Sequence, residues 1–194
     1  MARRQPRVRD TKDRILSAAQ QVFAERGFFA SSVDEIAVRA NVTKGAVYYY
    51  FTDKADLARD LQRKLWDHLA AAGMEAFDAD LSVTENLKRC FGAYLDALLK
   101  LSDAQAFLLE GWRVAPLDLS GQSVQDGAAK PVRKLIEQGI ASGELAAMDG
   151  EAAAQVIVGV FEEATRHILT TGDPGPTLEV VHRLVDGLAV RPIR

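Results

Sequence analysis

The sequence predicts an all-α fold of about nine helices, and three observations predict it. Apolar residues recur at three- and four-residue spacing along nearly the whole chain, the mark of helices with one buried face. No proline interrupts the stretch between Pro6 and Pro116, as long helices require. Apolar and polar residues nowhere alternate in the period of a strand, and no internal repeat is present.

Each helix can be placed in order. Ile15, Ala18, Ala19, Val22 and Phe23 share one face of a first helix, with Thr11 as its cap and Gly27 as its end. Val33, Ile36, Ala37 and Ala40 repeat the pattern in a shorter second helix. A short third helix starts near Lys44. Leu57, Leu61, Leu65 and Leu69 mark a long fourth helix from Asp53 past Trp66 to about Ala72. Leu87, Phe91, Tyr94, Leu95, Leu98 and Leu99 mark a fifth, and Ala104, Phe107, Leu108 and Trp112 a sixth. Leu135, Ile136 and Ile140 lie on a seventh. Ala153, Val156, Ile157, Val160, Phe161, Ala164 and Ile168 form a strong eighth, and Leu178, Val181, Leu184, Val185 and Leu188 a ninth. Ser32 with Glu35, Ser82 with Glu85 and Ser102 with Gln105 have capping-box spacing. Pro116–Gln125 and Thr171–Pro176, rich in Gly, Ser, Pro or Asp, read as loops.

Composition narrows the function classes. The 194 residues suit one unit, or one small and one larger, and 48% apolar with 26% charged residues is ordinary for a globular chain. Cys90 is the one cysteine, so no internal disulfide forms, which fits a reducing compartment. The most apolar window, Val156 to Phe161, stops at Glu162 and Glu163, far short of a membrane span. The basic segment Met1 to Asp10 has no apolar run behind it, so it is no secretory signal. The expected location is cytoplasmic, with no membrane partner. Charge is unevenly placed: residues 1–54 carry ten Lys/Arg and six Asp/Glu, whereas residues 55–194 carry fourteen and twenty-one. A basic front on an acidic body points to a polyanion at one end, or simply to a soluble protein with a basic tail.

Ser32 to Lys54 is the informative segment. Two short helices joined by Asn41, Val42 and Thr43 make a helix-turn-helix. Asn41 stands where the turn needs a left-handed residue, which Asn tolerates. Val42 points back toward Ile36, Ala37 and Val47. Tyr48, Tyr49 and Tyr50 hold three of the four tyrosines in one row. Successive side chains diverge by about 100°, so one or two of these phenols face outward. A phenol beside Lys44 suits phosphate oxygens and base edges, Gly45 allows close backbone approach, and the helix N-terminus favours an anion. An aromatic patch for a protein partner is the competing reading.

The run Ala-Asn-Val-Thr-Lys-Gly-Ala-Val-Tyr-Tyr-Tyr-Phe from Ala40 to Phe51, followed by Asp53, Lys54 and Leu57, resembles the DNA-binding domain of the TetR (tetracycline-repressor-like) family of bacterial transcriptional regulators. The segment Ile15 to Phe28 adds to the likeness, which covers residues 11–69, about a third of the chain. Beyond it the chain matches in length, helix count and all-α character. Two departures stand out: Asn41 replaces the usual Gly, and Tyr50 stands where His is frequent, which bears on operator preference.

The resemblance implies a DNA-binding domain over residues 1–52 and a ligand-binding and dimerisation domain over 53–194. It places Lys44 to Tyr50 in the major groove, with Thr43, Lys44, Gly45, Ala46, Tyr48, Tyr49 and Tyr50 as contact candidates. Ser32 and Lys54 would meet phosphate, and Arg3, Arg4, Arg7 and Arg9 would form a flexible arm toward the backbone or minor groove. Tyr48 has a structural alternative, packed beneath the helix. Homodimerisation through the last two helices is implied, with Val156, Val160, Ala164, Val181, Leu184 and Leu188 at the interface. The middle helices resemble a ligand chamber, with Phe91, Tyr94, Phe107, Leu108 and Trp112 as apolar walls. Glu110 would face a cationic ligand, Arg113 or solvent. The implied function is a repressor that binds a palindromic double-stranded operator as a dimer and is released by a small-molecule effector. A helical protein-interaction module and an activator using the same helix-turn-helix are the alternatives. No cofactor is implied. The chain has no Gly-rich phosphate loop, His-Glu-x-x-His, Gly-x-Ser-x-Gly or paired cysteines, so no enzyme is expected. His68, His167 and Cys90 are too scattered for a metal site, and Cys90 reads as a buried thiol rather than a redox sensor.

Overall fold

The computed structural model describes residues 5–111 and 122–190, without the side chains of 5–9, Asp103, Ala104, Glu110, Gly111 and 122–128. The described residues form α1 (Gln5–Ala30), α2 (Val33–Arg39), α3 (Lys44–Tyr50), α4 (Lys54–Glu75), α5 (Val83–Leu99), α6 (Ser102–Gly111), α7 (Gln122–Ser142), α8 (Gly150–Thr171) and α9 (Gly175–Asp186). Extended pairing among them is limited to one antiparallel bridge between Leu145 and Ala189. The all-α expectation holds. Among the described residues no helix is long and apolar enough to cross a membrane.

The chain divides into two compact units, residues 1–65 with 101–119 and residues 66–100 with 120–194. The boundary therefore falls inside α4 and not before it, as a division at residue 52 would have it. The physical reason is packing: Leu57, Ala58, Leu61 and Leu65 on the first half of α4 share a core with Ile15, Ala19, Val22 and Phe23 of α1, Ile36 and Ala37 of α2 and Val47 of α3. α6 joins the same unit, because Phe107 stacks on Phe23 with ring centres 5.4 Å apart and planes 11° apart. Fully burying a side chain of this size is worth about 1.5–3 kcal/mol.

The first helix begins at Gln5, ahead of Thr11, with Pro6 in its first turn, where its missing N–H costs nothing. Thr11 is thus not its cap. Gly27, at φ 77°, ends the regular helix and turns Phe28 into the core. In the second unit, Val83, Leu87, Phe91 and Leu95 of α5 pack with Ile136 of α7, Ala154, Ile157, Ala164 and Ile168 of α8, and Val181 and Val185 of α9. Buried Asn86 donates to the carbonyls of Asp78, Leu81 and Ser82 and accepts from the Asp78 N–H, so the loop before α5 has its polar groups satisfied.

Capping boxes form in full at Ser32–Glu35 and Ser82–Glu85. At Ser102–Gln105, α6 starts at Ser102 itself and the Gln105 N–H donates to the Leu101 carbonyl. The expected loops are shorter than read. Gln122–Gln125 already belongs to α7, Thr171 closes α8 before left-handed Gly172, and Pro176 lies in the first turn of α9.

Candidate functional site

The turn between α2 and α3 is fixed by backbone bonds. The Asn41 N–H donates to the Val38 carbonyl and the Val42 N–H to the Ala37 carbonyl, both at 3.0 Å. This is a Schellman closure with Asn41 at the left-handed position, φ 52°, the one non-glycine with positive φ among the described residues. Arg14 reaches across from α1 and donates to the carbonyls of Ala40 (2.5 Å) and Asn41 (3.0 Å). Val42 packs against the first core, as its spacing implies. Thr43 caps α3, its hydroxyl accepting from the Ala46 N–H at 3.1 Å.

The phase of α3 follows from Val47, which is buried. Tyr50 and Phe51, three and four residues on, turn the same way and pack on the core. Lys44, Gly45, Tyr48 and Tyr49 face solvent, with Tyr49 78% exposed and Tyr48 48%. The alternative of Tyr48 packed beneath the helix is therefore set aside. Tyr50 takes that place, its ring edge-on to Tyr49 at 5.0 Å. Ala46 is half-buried. At Gly45 an added Cβ would meet nothing nearer than the Thr43 hydroxyl at 3.9 Å, so this part of the helix is open to a close partner.

Two expected phosphate ligands, Lys54 and Ser32, and one expected groove contact, Lys44, are already engaged. Lys54 folds back and donates to the carbonyls of Phe28 (2.5 Å), Phe29 (3.3 Å) and Ser31 (2.7 Å), with its charge 4.6 Å from the centre of the Phe28 ring. In the free chain it clamps the corner between α1 and α2. Ser32 is bound to Glu35: its hydroxyl accepts from the Glu35 N–H at 3.2 Å, and the Glu35 carboxylate accepts from the Ser32 N–H at 2.9 Å. The Ser32 hydroxyl also donates to this carboxylate at 3.0 Å, and that bond first, then the Ser32 N–H bond, holds the Glu35 carboxyl below the usual glutamate value. Lys44 is paired with Asp34 at 2.8 Å across the exposed faces of α2 and α3, and this bond holds the ammonium above its usual value.

Pairing is general in this unit. Lys12 meets Asp60, Arg26 meets Glu35 and Arg39 meets Glu25. Residues 10–54 carry six cations and six anions, so the excess positive charge of residues 1–54 comes from Arg3, Arg4, Arg7 and Arg9. Arg7 and Arg9 stand on the first turns of α1, which shortens the expected flexible arm. Arg3 and Arg4 lie outside the described residues.

The expected ligand walls separate. Phe107 and Leu108 are buried on α6, Phe107 against Phe23 in the first unit. Trp112 and Arg113 lie outside the described residues, as does the Glu110 side chain. Phe91 and Tyr94 of α5 do come together, with ring centres 6.0 Å apart, in the second unit. Two residues not anticipated complete the group: Trp66 of α4 lies parallel to Tyr94 at 6.1 Å, and Phe161 of α8 stacks on Phe91 at 4.2 Å. Trp66 stands one residue beyond Leu65 in the Leu57–Leu61–Leu65–Leu69 stripe, a signal that was readable. Burial pushes the Tyr94 phenol well above its ordinary pKa, and its hydroxyl is hydrogen-bonded to Thr165. Cys90 is half-buried and its thiol is likewise pushed up by burial.

On the outer side of α8 and α9, an apolar groove is lined by Val156, Val160 and Ala164 with Val180, Val181 and Leu184. Val156, Val180 and Leu184 are more than half exposed, whereas Ala164 and Val181 form the buried floor. Leu188 packs into the second core instead of lining the groove. No group of three or more metal-binding side chains occurs among the described residues.

Comparison with known proteins gives a consistent result. The family profile described as bacterial regulatory proteins, tetR family, matches residues 15–61. A second, described as tetracyclin repressor-like, C-terminal domain, matches residues 84–190. The HTH-type transcriptional repressor BepR of Brucella suis is 44% identical over 61 residues, 31% of this chain and 29% of BepR, so that match spans under a third of the relative's length. The uncharacterized HTH-type transcriptional regulator YhgD of Bacillus subtilis is 27% identical over 154 residues, 78% of this chain and 81% of YhgD. Among solved structures, the fatty acid degradation regulator FadR of Bacillus halodurans superposes with a TM-score of 0.75 at 25% identity, covering 90% of this chain and 97% of that one.

Proposed function

The chain belongs to the tetR family of bacterial regulatory proteins, and from that premise we propose that it is a ligand-responsive repressor. Two copies bind a palindromic operator, one recognition helix α3 in the major groove of each half-site. The observation that carries this reading is the outward face of α3. Thr43, Lys44, Gly45, Tyr48 and Tyr49 are exposed together on a helix whose entry is locked by Asn41, Arg14 and the Thr43 cap. Tyr48 and Tyr49 reach phosphates and base edges. Lys44 exchanges Asp34 for a phosphate. Tyr50 and Lys54 hold the reading head in place from behind.

The α8–α9 groove supports a homodimer in which Val156, Val160, Val180 and Leu184 meet their counterparts. A small molecule in the second unit selects a form in which the two recognition helices no longer match the half-site spacing of about 34 Å. The lever is α4, whose residues belong to both compact units. Such release requires the ligand to bind the DNA-free form more tightly than the bound one. The site of action is the cytoplasm, where the operator is.

The test is fluorescence anisotropy of the purified protein with short duplexes from its own upstream region, across a salt series. Tight binding to one palindrome, lost in Tyr49→Ala, is expected. Equal weak binding to every duplex, including those selected from a random pool, would overturn the reading.

A further inference from the structure

The second unit holds two polar groups that the described side chains leave unanswered. The Trp66 indole N–H is buried and meets no acceptor among the described residues. Buried donors are almost always paired, so an orphan of this kind calls for a partner from outside the chain. The second group is the Glu162 carboxylate on α8. It is half-buried, and among the described residues it has no ion-pair or hydrogen-bond partner. Every other glutamate of α8 is exposed, and both Glu151 and Glu163 are paired with arginine.

The two groups flank one aromatic cluster. Glu162 precedes Thr165 by one helical turn, and the Thr165 hydroxyl meets the Tyr94 phenol. The Tyr94 ring lies parallel to the Trp66 indole at 6.1 Å and to Phe91 at 6.0 Å, and Phe91 carries Phe161 at 4.2 Å. The chemistry on offer is thus several aromatic rings, one hydrogen-bond donor and one uncompensated negative charge. Aromatic faces attract cations, and a carboxylate out of bulk water gains most from an opposite charge. An anion would meet Glu162 unfavourably and would find no basic side chain in the cluster.

We propose that the effector site lies at Trp66, Tyr94, Phe161 and Glu162, and that it takes a lipophilic organic cation, held more tightly where it also bears a hydrogen-bond acceptor. The cation lies against the rings beside Glu162, and the acceptor answers the Trp66 N–H. This rests on the reading of the protein as a ligand-responsive regulator.

Tetraphenylphosphonium and tetraphenylborate, nearly equal in size and opposite in charge, separate charge from bulk. Binding to the full chain is followed by isothermal titration calorimetry. Saturable binding of the phosphonium is expected, at least tenfold tighter than the borate. Glu162→Gln should weaken it tenfold or more, and Glu151→Gln, which removes the same charge from an exposed site on the same helix, should leave it within twofold. Circular dichroism confirms that both variants fold. Equal binding of the two ions, no binding of the phosphonium, or a Glu162→Gln variant within twofold of the parent would overturn the site. Operator release, read in the anisotropy assay, keeps the two ideas apart. Release by palmitoyl-CoA with no binding of the phosphonium would overturn the cation site and leave the regulator standing. Failure to bind any operator would overturn the regulator whatever the calorimetry gives.

Discussion

Lys44 and Lys54 share a sign and a neighbourhood, yet their surroundings give them different work. Lys44 sits on the exposed face of α3 with Asp34 as its partner, an anion at the position a phosphate must take. Asp34→Asn should therefore strengthen binding to all duplexes several-fold and steepen the dependence of log affinity on log salt by about 0.9 per half-site, because one more cation becomes available to release counterions. Titration at four salt concentrations measures it; an unchanged slope would sink the idea. Lys54 spends its donors on three carbonyls at the α1–α2 corner. Lys54→Met should cost about 1–3 kcal/mol of stability in urea denaturation by leaving those carbonyls short of a donor, with the salt slope kept. A slope lower by about 0.9 with stability intact would return Lys54 to the phosphate role. Sequence alone did not reveal this difference, since the carbonyls lie 23 to 26 residues before Lys54. Local periodicity reports neighbours one turn away, and contacts at that separation exist only once the fold is formed. Tyr50 is the opposite case. With Val47 taken as core, the spacing Val47–Tyr50–Phe51 already places Tyr50 inward, so its burial was readable.

At the level of elements, helix starts were the most legible feature where a side chain makes the cap. Ser32 and Ser82 with their glutamates signal α2 and α5, and both boxes close. Thr11 misled because an apolar stripe marks where a helix is buried and not where it begins; the backbone winds from Gln5 ahead of the first buried residue, Ile15. The capping carboxylates carry a pH signature. Glu35 and Glu85 are each held below the usual glutamate value, first of all by the hydrogen bond to their serine. A depressed folded value means that the stabilisation is complete above the unfolded value of about 4.3 and is lost as pH falls through the lower, folded one. The thermal midpoint should thus fall between about pH 5 and pH 3, and less steeply in the double variant Glu35→Gln, Glu85→Gln; parallel curves would refute the link. The α8–α9 groove makes a separate prediction. Leu184 is half exposed in one chain, so Leu184→Glu should leave each subunit folded while driving the dimer to monomer in sedimentation velocity. A variant that stays dimeric would place the interface elsewhere.

For the whole molecule, the division of charge decides how it finds DNA. The acidic body, residues 55–194, repels a polyanion, and residues 10–54 carry no net charge. Each of the six cations in that stretch is engaged: Lys12, Arg26, Arg39 and Lys44 by carboxylates, Arg14 and Lys54 by backbone carbonyls. A cation already paired releases few counterions on meeting phosphate, because it gives up one anion to gain another. The long-range attraction must then come from Arg3, Arg4, Arg7 and Arg9. Replacing these four by glutamine should slow association and flatten the salt slope, by up to about 7 per dimer at 0.9 for each phosphate neutralised. The preference for the operator over a scrambled duplex should survive, since base contacts come from the face of α3. Loss of discrimination together with affinity would mean that the arm reads sequence as well, by the minor groove. An unchanged slope would mean that the paired cations open on binding, with Asp34, Glu25 and Glu35 turning away from the DNA, and the Asp34→Asn variant would then show no gain either.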